Sequence, residues 1–137
     1  MTVDADISIK MAARMMAHLQ VSSLVVVEDG NVVGIINEKD IISRVVAKDK
    51  NPNKLMVYDV MTTPLLTTLP DADLENALHL MVFNGIKKLP VLSGDENKEL
   101  VGLLSLTDVV RFFPQLYARI FNVDNLMPKE STLPYIQ

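Results

Sequence analysis

The chain has no cysteine and no tryptophan among its 137 residues. Disulfides and thiol chemistry are therefore excluded, and a reducing, cytoplasmic setting is expected. Glycine is scarce, at five residues. Neither a G-x-G-x-x-G stretch nor a Walker sequence occurs, so no glycine-rich loop cradles a phosphate. No apolar run reaches the length of a membrane-crossing helix. The opening "MTVDADISIK" is acidic and lacks the apolar segment of a secretory signal. Positive charge is outweighed, with 13 Lys and Arg against 17 Asp and Glu and a net charge of −4. Direct nucleic-acid binding is not expected from that balance. The two histidines, His18 and His79, lie in helical stretches with no ligand cluster beside them, so no metal site is expected. No nucleophile–base pair stands out either, which argues against an enzyme.

What the chain does have is apolar content, 49%, enough for a true core. It also has an internal repeat. At an offset of 65, Asp6 falls on Asp71, Ala12 on Ala77, Met16 on Met81, Leu24 on Leu89 and Val26 on Val91. The offset then becomes 68, because "SGDENKE" is three residues longer than "EDGN". After it, Val33 falls on Val101, Gly34 on Gly102 and Asp40 on Asp108. A hairpin loop is where a repeat tolerates a change of length.

Each copy reads alike. Ile9, Ala12, Ala13 and Met16 follow the i, i+3, i+4, i+7 spacing of an amphipathic helix, and Leu74, Ala77, Leu78 and Met81 repeat it. Ser8 and Asp73 stand ahead as N-caps, and Gly85 stops the second helix. Runs rich in β-formers follow, at 24–27 with 32–36 and at 89–92 with 100–104, spaced as hairpins. "DIISRVVAK" and "DVVRFF" then open further helices, the second interrupted or ended by Pro114. One copy, at roughly 50–60 residues, is too small to bury much core alone. The expected fold is α+β: two β-α-β-β-α repeats about a pseudo-twofold axis, sheets facing and helices outside. Repeat 1 is placed at 1–55 with its first strand cut short, repeat 2 at 56–114, and a tail or linker at 115–137. Within that tail "QLYARIF" reads as a short helix and "NVDNLMPKESTLPYIQ" as a linker or surface arm.

The ordered pattern is an acid, a Met-bearing helix, "VSSLVVV" or "IKKLPVL", a hairpin and a G-h-h-x-x-x-D turn, where h is apolar. Seen twice over residues 2–113, it resembles a pair of CBS domains, a Bateman module. "VYDVMTTPLLTTLPDADLENALHLMVFNGIKKLPVL" carries the resemblance most closely. The resemblance implies a ligand-sensing regulatory module without catalysis. Its ligand would be AMP, ADP or ATP, or alternatively S-adenosylmethionine, with no resident cofactor. It also implies a homodimer through helix faces and a fused or separate effector domain. A surplus of Met and Phe on helices fits the dimer, since an apolar face needs a partner.

Two readings exist for Asp40 and Asp108. Either carboxylate can cap the helix it begins, or accept the two ribose hydroxyls of a bound nucleotide, which an ionised carboxylate suits. By resemblance the first cleft joins Ile36, Asn37, Lys39 and Asp40 to Leu65, Leu66, Thr67, Ile86, Lys87 and Lys88. Leucines and Ile86 would wall the adenine, and the lysines would meet phosphate. A second, weaker cleft joins Leu104, Ser105 and Asp108 to Val21, Ser22 and Ser23. It lacks lysines and the first strand. The competing reading is a structural, dimerising module with degenerate clefts.

Overall fold

The computed structural model describes residues 1–63 and 65–123. They divide after Leu65 into two units, each with its own core.

Unit 1 opens with β1 (Thr2–Asp4) and the predicted helix α1 (Ile9–Leu19). Ser8 Oγ accepts the Met11 N–H at 3.2 Å, as expected of an N-cap. Ile9, Ala12 and Met16 are buried on one face of α1. The hairpin β2 (Ser23–Glu28) and β3 (Asn31–Asn37) turns through Asp29 and Gly30, both at positive φ. That backbone matches the twist of a two-residue hairpin, and Asp-Gly adopts it readily. β1 pairs parallel with β2, and β2 antiparallel with β3, giving the order β1-β2-β3. Leu24, Val26 and Ile36 point from the sheet onto α1 and close the core. α2 (Glu38–Arg44), a 3₁₀ turn at Val46–Lys48 and the short α3 (Val57–Val60) complete the unit.

Unit 2 repeats this plan. α4 (Leu74–Asn84) lies 65 residues after α1, capped by Asp73, which accepts the Glu75 N–H at 2.8 Å, and closed by Gly85 at φ 65°. β4 (Lys88–Leu92) and β5 (Leu100–Ser105) form the second hairpin. The repeat holds to the hydrogen bond. The register shift between Val26 and Val27 recurs between Val91 and Leu92, and Gly34 opposite Val26 recurs as Gly102 opposite Val91. α5 (Leu106–Phe112) and α6 (Pro114–Val123) follow. Pro90 is tolerated inside β4 because it faces Leu103 at a pair that needs no N–H toward β5. The class is α+β, two small sheets and six helices among the described residues.

Three expectations change. The first strand of repeat 1 is present as β1. The matching segment of unit 2 is the sparser one, pairing through a single bridge, Thr68 with Val91. The start of the second sequence repeat packs in unit 1, which moves the spatial boundary from 55 to 65. There Val57 and Val60 are buried, the Val57 N–H is given to Ile7 O and the Tyr58 N–H to Ala5 O. Residues 115–123 include the short helix expected of "QLYARIF", and this part of the expected tail or linker packs into unit 2. Pro114 ends α5 by lacking an N–H, then begins α6, whose Ile120 is buried in the unit 2 core. The linker or arm expected of "NVDNLMPKESTLPYIQ" falls almost wholly on 124–137, outside the described residues.

Candidate functional site

The turn from β3 into α2 presents Asn37 and Asp40, three residues apart, and the helix geometry makes them reciprocal. The Asp40 N–H donates to Asn37 Oδ1 at 2.9 Å, and the Asn37 N–H donates to Asp40 Oδ2 at 3.0 Å. This is the capping box that the sequence allowed. The other oxygen is taken as well. Thr62 Oγ1 donates to Asp40 Oδ1 at 3.0 Å, and Arg44 Nη1 lies 3.6 Å from it. Asp40 is 6% exposed. A carboxylate so enclosed is a structural tie. Arg44 also holds the C-terminal end of α3, donating to Val60 O at 2.7 Å and Met61 O at 3.0 Å.

The turn from β5 into α5 has the same chain path and a different chemistry. The Leu106 N–H donates to Lys87 O at 2.8 Å, as the Glu38 N–H does to Ser22 O at 3.0 Å in unit 1. Ser105 is the N-cap, but its side chain makes no cap bond. Its hydroxyl instead accepts from Lys88 Nζ at 3.3 Å. Asp108 is exposed, and among the described residues its carboxylate has no partner. Unit 2 therefore sets a free carboxylate on the turn where a lysine is held against a serine.

The remaining predicted residues fall as follows. In unit 1, Ile36 is buried in the core, Lys39 is exposed on α2, and Val21 and Ser22 lead into Ser23 at the start of β2. Leu65 ends unit 1, while Leu66 and Thr67 begin unit 2 ahead of the Thr68 bridge. Ile86 packs against the unit 2 core, and Leu104 does so from β5. Lys87, just before β4, is exposed, and Lys88, the first residue of β4, is half-buried. The sequence reading set Lys88 and Ser105 in different clefts, and the structure brings them together. It missed Thr62 and Arg44. Arg44 was legible as the i+4 neighbour of Asp40. Thr62, 22 residues away, reaches Asp40 only through the fold. Among the described residues no three His, Asp or Glu side chains converge on a metal position, and no helix is long and apolar enough to cross a membrane.

Comparison with known proteins gives the setting. The model of a family described as CBS domain matches residues 1–47 and 57–115. An uncharacterised protein of Methanopyrus kandleri is 33% identical over 115 residues, covering 84% of this chain and 58% of that protein. Inosine-5'-monophosphate dehydrogenase of Thermoplasma acidophilum is 31% identical over 109 residues, 80% of this chain and 21% of the enzyme. The solved structure of a hexameric CBS-CP12 protein from bloom-forming cyanobacteria shares the fold with a TM-score of 0.74 at 25% identity. It covers 91% of this chain and 70% of that one. The chain thus spans little more than half of the Methanopyrus protein and about a fifth of the dehydrogenase.

Proposed function

This chain belongs to the CBS domain family, in two tandem copies, and from that premise we propose that it is a non-catalytic regulatory module that binds an adenosine nucleotide. The single observation that carries the reading is the Asp108 turn. Its carboxylate is exposed and unpartnered among the described residues, while Lys88 is anchored on Ser105 at 3.3 Å on the same turn. A paired acceptor suits a ribose diol, and a fixed ammonium suits a phosphate. AMP, ADP and ATP carry both groups. S-adenosylmethionine carries only the diol and is the alternative ligand. Asp40 stands at the matching place but already accepts from Asn37 and Thr62. Ribose hydroxyls there would have to reach a nearly buried carboxylate whose two oxygens are both engaged, so Asp108 takes the first role. Bound ligand shifts the population of conformers that an attached or separate effector reads.

Calorimetry with AMP, ADP, ATP and S-adenosylmethionine tests this. At least one is expected to bind, and Asp108→Ala to weaken it by about 1–3 kcal/mol, the range for a lost charge-assisted bond. Silence from all four ligands ends the nucleotide reading.

A structural, dimerising role is the second reading. It is favoured by Ile42 and Val110, which are exposed apolar residues at matching places on α2 and α5. Nucleotide-dependent stabilisation separates the two, because a ligand of the native state raises the melting temperature.

A further inference from the structure

Lys88 and Ser105 face each other across the second hairpin, where Ser23 and Asn37 face each other in the first. Both pairs lead into the same kind of turn, and its backbone runs alike in the two units. The Leu106 N–H donates to Lys87 O as the Glu38 N–H does to Ser22 O. Asn37 and Ser105 are N-caps in extended backbone, at φ −126° and ψ 169° and at φ −105° and ψ 128°. From that backbone an N-cap side chain reaches the N–H three residues on. Asn37 does so, accepting the Asp40 N–H at 2.9 Å. A serine hydroxyl caps as well as an asparagine does, yet Ser105 makes no cap bond.

The difference lies across the strand. Ser23 is uncharged and leaves Asn37 to its helix. Lys88 brings an ammonium to within 3.3 Å of Ser105 Oγ. A bond from a charged donor is stronger than one from a neutral N–H, so the hydroxyl turns to the lysine. The margin is small, because 3.3 Å lies beyond the usual length of about 2.7–3.2 Å. Ser105 is 7% exposed, so a hydroxyl that loses the lysine must find its next partner within the protein.

We propose that the Ser105 hydroxyl is a two-position relay. With the site empty it holds Lys88 and leaves α5 without a side-chain cap. When an anion draws the Lys88 ammonium away, the hydroxyl turns to the Asp108 N–H and caps α5, as Asn37 caps α2. The trigger rests on the nucleotide reading above; the two positions do not. Phosphate is then the group that the module senses. Adenosine offers Asp108 the same ribose but leaves Lys88 on Ser105, whereas AMP, ADP and ATP release it. Leu106 and Val109 of α5 are buried in the unit 2 core with Ile120 of α6. An occupied site is thereby expressed as a tighter first turn on a helix built into that core.

Exchange of the Asp108 amide hydrogen in the full chain, read by NMR, tests the relay. Lys88→Met keeps an unbranched apolar side chain and removes the ammonium. It is expected to slow that exchange about fivefold with no ligand present, the factor for a typical cap bond of about 1 kcal/mol. The same change made together with Ser105→Ala is expected to slow nothing. In the unaltered chain AMP is expected to slow the exchange and adenosine to leave it alone, and Ser105→Ala is expected to erase the AMP effect. Unchanged exchange in Lys88→Met overturns the relay, and so does slowing that survives Ser105→Ala. AMP that binds without slowing the exchange, or adenosine that slows it as much, overturns the link to phosphate. Should Lys88→Met act through Ser105 while calorimetry finds no nucleotide bound, the two positions stand and the nucleotide reading falls.

Discussion

Asp40 and Asp108 occupy matching turns and carry different loads. Asp40 closes a capping box and accepts from Thr62 in a buried place. Asp40→Ala is therefore expected to cost about 1–3 kcal/mol of stability in urea denaturation, the penalty for leaving buried donors unmatched. Little of that loss comes from Arg44, whose side chain is half exposed and screened by water. Thr62→Val removes one bond, and the double variant is expected to lose less than the two single losses added, because both act on one network. Equal additivity would show that Thr62 and Asp40 are not coupled. Asp108→Ala is expected to leave the melting temperature unchanged, since that carboxylate holds nothing else in place. A clear drop there would make Asp108 structural.

At the scale of elements, α1 and α4 end on the same left-handed residue, Gln20 at φ 54° and Gly85 at φ 65°. A side chain in that conformation costs roughly 1 kcal/mol that glycine avoids. Gln20 is exposed and its side chain is not needed for the cap, which is made by its backbone N–H. Gln20→Gly is expected to stabilise the protein by roughly 0.5–1 kcal/mol, read as a rise in melting temperature. An unchanged or lower value would mean that glycine's freedom in the unfolded chain outweighs the relief. α6 gives the opposite sign. Ile120 is buried with Leu78, Met81 and Leu106, so Ile120→Ala is expected to cost about 2–5 kcal/mol. A loss of a few tenths would return 114–123 to the standing of a surface appendage.

At the scale of the whole molecule the exposed apolar residues ask for cover. Ile42 and Val46 near one end of the first repeat are exposed, and so are Val110, Phe112 and Phe113 in the second. Faces of this kind on monomers are normally small. Light scattering at micromolar concentration is expected to give the mass of at least two chains, and Ile42→Glu to lower it. A monomer mass for the unaltered chain counts decisively against a helix-face homodimer.

The repeat, both hairpins, the N-caps Ser8 and Asp73 and the turn aspartates were legible in the residues alone. Each rests on spacing or local backbone preference, which a linear reading carries. The boundary after Leu65 was not, because Val57 and Val60 choose their core by which unit has an apolar face to cover. The burial of Ile120 escaped the sequence for the same reason. The residues alone ranked the Asp40 cleft above the Asp108 cleft, and they could not show which carboxylate already has partners. Both turns read as caps or as ribose acceptors. The fold alone brings Thr62 across 22 residues to one carboxylate and leaves the other exposed. Hydrogen-bond partners distant in sequence are set by packing, and only the tertiary structure decides them.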